Sequence, residues 1–214
     1  MSQVINNDFN NINSGRRSIR LYDTETKISH EEMTNIIDEA VKAPSSVNMQ
    51  PWRFVVVESN EGKEKLKPLI RFNTKQLETS SAMIVIFGDL NSIENAEKIY
   101  SNAVEKGLMP KEVKDQQVPV LVNYYNNMSR NTNIETALID SSLVAMNLML
   151  VARAHGYDTN PIGGFERDQI AEALDSGLEA KDITWINGTC IKAKAAARYG
   201  SLFLQFLWDL APLS

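Results

Sequence analysis

The sequence has little cysteine and little histidine. Of its 214 residues, one is a cysteine, Cys190, and two are histidines, His30 and His155. A single cysteine cannot form an internal disulfide, and the sequence has no Cys/His cluster with the spacing of a structural zinc site. The histidines stand far apart at the ends of predicted helices, where capping suits them better than a nucleophile–base pair. No metal site is expected.

Long apolar runs and an excess of positive charge are also missing. No apolar run approaches the roughly 20 residues that a membrane-spanning helix needs, and the polar residues 1–14 do not resemble a secretory signal. Because 22 Lys and Arg stand against 27 Asp and Glu, the net charge disfavours non-specific binding to nucleic acid. P-loop, GxSxG and HExxH signatures are absent as well. We expect a cytoplasmic protein that binds neither nucleic acid nor a membrane.

The sequence does have the composition of a globular domain, with 43% hydrophobic and 23% charged residues. Since no repeat or linker divides it, residues 1–214 are expected to form a single domain. Hydrophobic periodicity predicts helices over residues 4–13, 29–42, 62–72, 93–105, 111–128, 134–154 and 167–173. Short apolar runs predict strands over residues 53–58, 81–88, 157–162 and 182–190. Ser29 and Glu32 form a predicted capping box, and the 134–154 helix is apolar on nearly all sides, which predicts burial on nearly all sides.

Two guanidinium groups and a hydroxyl alternate in the segment RRSIR. An extended backbone would aim Arg16, Ser18 and Arg20 at one side of the chain. Arginine binds phosphate oxygens with two parallel hydrogen bonds, so this side is suited to a dianionic phosphate. A solvated basic surface is the alternative interpretation.

Two further segments carry more polar groups than a core needs. In APSSVNMQPW, two prolines fix the ends of a loop whose side chains offer donors and acceptors for the edge of a planar heterocycle. In PIGGF, paired glycines let backbone N–H groups approach a ligand closely. A capped turn and a tight strand-to-helix turn are the respective alternatives.

Together and in this order, RRSIR, APSSVNMQPW and PIGGF resemble the FMN-dependent nitroreductase family over about residues 10–175. The resemblance implies an α+β fold, a central and mostly antiparallel sheet flanked by helices, in an intertwined homodimer with the 134–154 helix in its core. It also implies an FMN-dependent NAD(P)H oxidoreductase with FMN sites at the subunit interface. Hydride from NADH or NADPH would pass through flavin N5, in ping-pong order, to a nitroaromatic, quinone or related small-molecule acceptor.

The same resemblance implies which residues hold FMN. Arg16 and Ser18 would bind the phosphate, with Arg17 nearby, and Arg20 would lie toward N1 and O2 of the flavin. Asn73 and Gln76 would hold the ribityl chain and the ring edge. The partner subunit would contribute a loop containing Pro44, Ser45, Ser46, Asn48 and Gln50. The late turn would pass along the flavin face with Pro161, Ile162, Gly163 and Gly164. No catalytic side chain is implied, because the flavin carries the chemistry.

Residues 185–214 depart from the family pattern. The family usually closes with a Gly-Lys pair and then an arginine near the phosphate, where this sequence has Phe203; Lys192, Lys194 or Arg198 could replace that arginine. An altered reading frame, or an apolar tail that wraps the partner subunit, would each explain the departure. Three alternatives to the reductase stay open: a non-catalytic flavin-binding or redox-sensing protein, a dehalogenase or flavin-consuming oxidase, and an FMN-free scaffold.

Overall fold

The computed structural model describes residues 6–166, 169, 170, 173 and 174. The predicted 182–190 strand and the 185–214 segment lie outside the described residues. In chain order the helices and strands are α1 (Phe9–Gly15), α2 (His30–Ala40), β1 (Trp52–Val57), α3 (Asn60–Leu66), α4 (Thr74–Thr79), β2 (Met83–Gly88), α5 (Ala96–Glu105), α6 (Lys111–Asn126) and α7 (Arg130–Ala154). Short 3₁₀ helices lie at Ser46–Asn48, Lys67–Leu69 and Ser92–Asn95. Of the predicted 167–173 helix, residues 169, 170 and 173 are described, and they are helical.

An antiparallel pair, β1 and β2, forms the sheet of the described residues, with Trp52 opposite Gly88 and Val57 opposite Met83. Successive side chains of a strand point to opposite faces. Val55 and Val57 therefore join a core that includes residues of α3 and α4, whereas Phe54 and Val56 join a core formed with α2 and α7. The sheet is buried on both faces, and the expected α+β class is confirmed.

The capping box at the start of α2 is half formed. Ser29 Oγ accepts a hydrogen bond from the Glu32 N–H at 3.1 Å. The Glu32 carboxylate does not return to the cap: its Oε1 lies 2.8 Å from Nδ1 of His155, the residue that ends α7. His155 Nε2 is 3.3 Å from the carboxylate of Glu39. The buried His155 ring therefore joins the end of α7 to two turns of α2.

Three predicted elements differ from the structure. The predicted 4–13 helix starts only at Phe9 and runs to Gly15, after three non-helical residues. The predicted 62–72 helix is an α-helix up to Leu66 and a 3₁₀ helix over Lys67–Leu69. Pro68 has no N–H for an α-helical hydrogen bond, and the helix ends before Phe72, which is 93% exposed. The predicted 157–162 strand is a single bridge between Thr159 and Ser18. A cavity of about 360 Å³ is lined both by β2 and by residues 159–162, so these segments face each other across it rather than pairing.

Helix α7 corresponds to the long apolar helix predicted over residues 134–154, but it begins four residues earlier, at Arg130, after the N-cap Ser129. It packs against α2 and both strands. The helix is also long and apolar enough to cross a membrane, judged by length and composition alone, but core helices of soluble proteins meet the same two criteria. Its predicted burial is incomplete within one chain, because Ile139, Leu143 and Met146 are 62%, 43% and 37% exposed. These residues recur at helical spacing and form one apolar stripe, the α7 stripe.

Candidate functional site

The RRSIR segment lies beside the segment that leads into the late turn. The Ile19 N–H donates to the Thr159 carbonyl at 3.2 Å, and Ser18 and Thr159 form a parallel bridge. Ile19, Pro161 and Ile162 share the wall of the same cavity with Gln76. Two of the three predicted segments, 140 residues apart in sequence, are therefore neighbours in one chain.

The late turn is fixed against the start of α4. Its backbone pairs with residues 69–71: the Arg71 N–H donates to the Gly164 carbonyl at 3.1 Å, and the Glu166 N–H donates to Leu69 at 2.9 Å. Asn73 Nδ2 also approaches the Gly164 carbonyl, at 3.4 Å. A Cβ added to Gly164 would lie 3.2 Å from that nitrogen, so glycine permits the close approach.

A bidentate ion pair reinforces this junction. Arg71 Nε and Nη2 lie 2.6 and 3.0 Å from the two carboxylate oxygens of Glu166. The guanidinium lowers the pKa of the half-buried Glu166 below its ordinary value. On the other side of the junction, Gln76 Nε2 donates to Asn73 Oδ1 at 3.2 Å. The side chains predicted to hold a ribityl chain therefore orient one another.

The three arginines of RRSIR have different surroundings. Arg17 donates to the carbonyls of Ser14 and Arg16, at 2.7 and 2.8 Å, so it closes the end of α1. Within the described part of the chain, the guanidinium groups of Arg16 and Arg20 have neither a hydrogen-bond partner nor an ion-pair partner. These two cations are free to meet an anion, whereas Arg17 has a structural contact of its own.

The proline-bounded loop (residues 44–51) has an unusual backbone. Val47, Asn48 and Gln50 have φ angles of 43°, 58° and 48°, in the left-handed region that favours glycine. Each such residue costs about 1–3 kcal/mol and persists only where its surroundings hold it, and a β-branched residue such as Val47 is a marked outlier. The sequence pattern does not predict this conformation.

One hydrogen bond within the loop and others from two helices hold its conformation. The Gln50 N–H donates to Ser45 Oγ at 3.0 Å, and Tyr100 of α5 donates to the Val47 carbonyl at 3.3 Å. The Ser46 N–H lies 3.0 Å from each carboxylate oxygen of Asp140, on α7. Met49 of the loop also packs with Val118 and Tyr125 of α6, and Arg53 of β1 donates to the Gln50 carbonyl. The loop thus contacts α5, α6, α7 and β1, whereas the other two predicted segments contact each other.

Sequence reasoning missed Asp140, which is 4% exposed. Burial raises its pKa, and the hydrogen bond from the Ser46 N–H opposes that shift. The sequence does contain a sign of its role, because Asp140 is the one acidic residue within the apolar run ALIDSSLVAMNLML.

Arg53 and Asp89 were missed as well. Arg53 Nη2 lies 2.7 Å from Asp89 Oδ2, and Arg53 Nη1 donates to the Gln50 carbonyl at 3.0 Å. Among the described residues, no cluster of His, Cys, Asp and Glu side chains could hold a metal ion.

Comparison with known proteins shows one family. The sequence model of the nitroreductase family matches residues 14–189. YdgI of Bacillus subtilis, which is named as an NAD(P)H nitroreductase, is 59% identical over 168 residues, covering 78% of this chain and 80% of its own. An enone reductase of conjugated linoleic acid (CLA) biosynthesis from Lactiplantibacillus plantarum is 36% identical over 197 residues, covering 92% and 89%.

Among solved structures, a nitroreductase in complex with FMN from Exiguobacterium sibiricum superimposes with a TM-score of 0.78. It is 58% identical, and the match covers 87% of each chain. An NAD(P)H:FMN oxidoreductase from Staphylococcus epidermidis has the same TM-score at 50% identity, with 86% of each chain covered.

Proposed function

This chain belongs to the nitroreductase family, and we propose that it is an FMN-dependent NAD(P)H oxidoreductase whose flavin sites lie between two subunits. The observation that carries the proposal is that the segments predicted to hold the phosphate, the ribityl chain and the flavin face lie close together. RRSIR, the start of α4 and the late turn meet in one region, where Arg16 and Arg20 have no partner among the described residues and Gly164 closely approaches Asn73.

The residues in this region fit FMN. A phosphate dianion needs cationic donors, which Arg16 can supply together with the Ser18 hydroxyl. A ribityl chain needs amide partners, and Asn73 and Gln76 already orient each other. The turn at Gly163 and Gly164 has no Cβ atoms, so a flat ring can approach the backbone closely.

When bound, FMN supplies the hydride chemistry, accepting hydride from NADH or NADPH and delivering it to the acceptor. The chain's own residues bind FMN and orient it. Arg20 would supply a positive charge near the pyrimidine ring of the flavin, which would favour the acceptance of hydride. The Arg71–Glu166 ion pair and the backbone pairing beside it hold the late turn in place, where the N–H groups of Gly163 and Gly164 would be available to the flavin.

A homodimer is supported by the α7 stripe. Three apolar side chains on one face of a core helix favour a protein partner, and a second copy of the chain would meet its own stripe across a two-fold axis. Ser46 and Asn48, at the exposed tip of the proline-bounded loop, would then reach the flavin site of the partner subunit. This would complete the site with Pro44, Ser45 and Gln50.

The acceptor we propose is a nitroaromatic, a quinone or a related conjugated small molecule. All of these are planar and electron-poor, so each can stack on the flavin face that the donor has left. Cytoplasmic location stays a prediction.

The test is to purify the protein and measure the flavin absorbance, followed by reduction with NADH and with NADPH under anaerobic conditions. We expect stoichiometric FMN, bleaching by at least one donor, and recovery of the oxidised spectrum on addition of a nitroaromatic or quinone. Bound FMN that neither donor reduces would favour a sensing protein. Reduction without turnover of these acceptors would favour a dehalogenase or flavin-consuming oxidase, and a protein without affinity for FMN would refute the proposal.

A further inference from the structure

The proline-bounded loop is attached to the core at both of its ends. At its start, both carboxylate oxygens of Asp140 lie within hydrogen-bond distance of the Ser46 N–H. At its end, Arg53 donates to the Gln50 carbonyl, and the Asp89 N–H donates to the Pro51 carbonyl at 2.7 Å. Between these attachments lie the left-handed residues, whose strained conformations persist only where their surroundings hold them.

The two attachments differ in solvent exposure. The side chain of Arg53 is 18% exposed, and its carbonyl partners belong to its own strand and the adjoining loop residue. Asp140 is 4% exposed and belongs to α7, an element remote from the loop in sequence. A buried carboxylate costs free energy unless hydrogen bonds compensate it. A carboxylate placed in an apolar helix, with its oxygens directed at one backbone N–H, therefore indicates a specific task.

The packing of α7 fixes where that carboxylate lies. β2 ends at Gly88, and a Cβ there would lie 3.3 Å from Ala137 Cβ and 3.5 Å from Ser141 Oγ. Helix α7 therefore packs closely on the end of β2, and Asp140 lies between these two contacts in sequence. Because the adjacent Ile139 belongs to the α7 stripe, the same helical turn faces both the loop and the expected partner subunit.

We propose that Asp140 is a positioning residue for the flavin site of the partner subunit: by holding the Ser46 N–H, it presets the proline-bounded loop in its strained, binding conformation. This inference rests on the proposed function. Asp140 touches neither cofactor nor substrate in this role. It acts through Ser46, and without it the loop would relax toward unstrained conformations that must be reordered when FMN binds.

The first experiment compares FMN affinity in Asp140→Ala, Asp140→Asn and a matched control, Ser141→Ala. The control removes a neighbouring buried hydroxyl that has no hydrogen-bond partner. We expect Asp140→Ala to weaken FMN binding about tenfold or more, the scale of a lost charge-assisted hydrogen bond. Asp140→Asn keeps an acceptor oxygen and should recover part of the affinity, and the control should bind like the wild type.

Amide hydrogen exchange distinguishes positioning from general destabilisation. In Asp140→Ala the peptide covering residues 44–51 should exchange faster, with unchanged protection in β1 and β2. Unchanged exchange in the loop, or FMN affinity equal to that of the wild type, would overturn the inference. A wild-type protein that does not bind FMN would instead overturn the proposed function, so the two failures are distinguishable.

Heterodimers with differently tagged subunits test which site the loop serves. With Arg16→Ala in one subunit and Asp140→Ala in the other, both defects fall in one site, and the second site should bind FMN with wild-type affinity. With both substitutions in the same subunit, each site has one defect and neither should reach wild-type affinity. The reverse pattern would show that Asp140 acts on its own subunit's site and would overturn the proposal.

Discussion

Replacing Ile139 with alanine should weaken the association of two chains far more than it weakens the fold. Ile139 is 62% exposed in the single chain, so the groups that alanine removes are largely in solvent until a partner covers them. The substitution therefore leaves most of the intramolecular core intact. Its effect should fall on the dimer interface that we propose for the α7 stripe.

The magnitude follows from the exposed fraction. Complete burial of an isoleucine side chain stabilises a protein by about 1.5–3 kcal/mol, so covering the exposed part of Ile139 would contribute about 1–2 kcal/mol for each copy. A two-fold axis buries two copies, and alanine keeps the Cβ. The expected loss is about 1–3 kcal/mol for the dimer, which raises its dissociation constant about 5- to 150-fold.

Sedimentation equilibrium over a range of protein concentrations measures this dissociation constant. Leu108→Ala is the matched control, because Leu108 is 79% exposed but lies on the connection between α5 and α6. The control should associate like the wild type. If Ile139→Ala associates as tightly as the control, the α7 stripe is not the interface, and the assignment of the loop to the partner's site loses its support.

Three further substitutions test the site and the fold. Arg16→Ala should weaken FMN binding by about 1.5–3 kcal/mol in a fluorescence titration while barely changing the apoprotein's melting temperature; unchanged affinity would contradict the phosphate role. Arg71 holds the pKa of Glu166 below its ordinary 4.5, so their pair stabilises the fold above that pH and is lost on acidification. The difference in unfolding free energy between wild type and Glu166→Gln should therefore shrink as pH falls, and a constant difference would exclude the pair as its cause. Gly88→Ala should destabilise the fold by about 1–3 kcal/mol in urea unfolding, because its Cβ would crowd Ala137. An unchanged stability would show that α7 shifts to make room for the added Cβ.

The elements that sequence predicts well are those with strong local signals. Both strands of the sheet are short, β-branched and apolar, and α7 has a serine cap followed by a long apolar pattern. These signals act between residues a few positions apart, so the elements that they predict also form in the complete fold. The predicted strand at 157–162 lacks such support, because a strand also needs a partner edge, and among the described residues Thr159 pairs with Ser18 alone.

The candidate site was predictable to the extent that it depends on residue type. Arginine, asparagine and paired glycines indicate possible ligand-binding positions from their residue type alone. The order of the three motifs along the chain then indicates the family. The conformation of the proline-bounded loop was not predictable, since Val47 is intrinsically disfavoured at positive φ. That conformation depends on Asp140 and Tyr100, which lie 93 and 53 positions further along the chain.

The position of Asp140 next to Ile139 has a thermodynamic consequence. One helical turn directs a carboxylate at the loop and an apolar side chain at the expected partner, so a displacement of α7 on dimerisation would also displace Ser46. If the dimer presets the loop, it raises the affinity for FMN by some factor. By linkage, FMN must then raise the affinity of the two chains for each other by the same factor. FMN binding and dimerisation would therefore be coupled equilibria, because both depend on the position of α7.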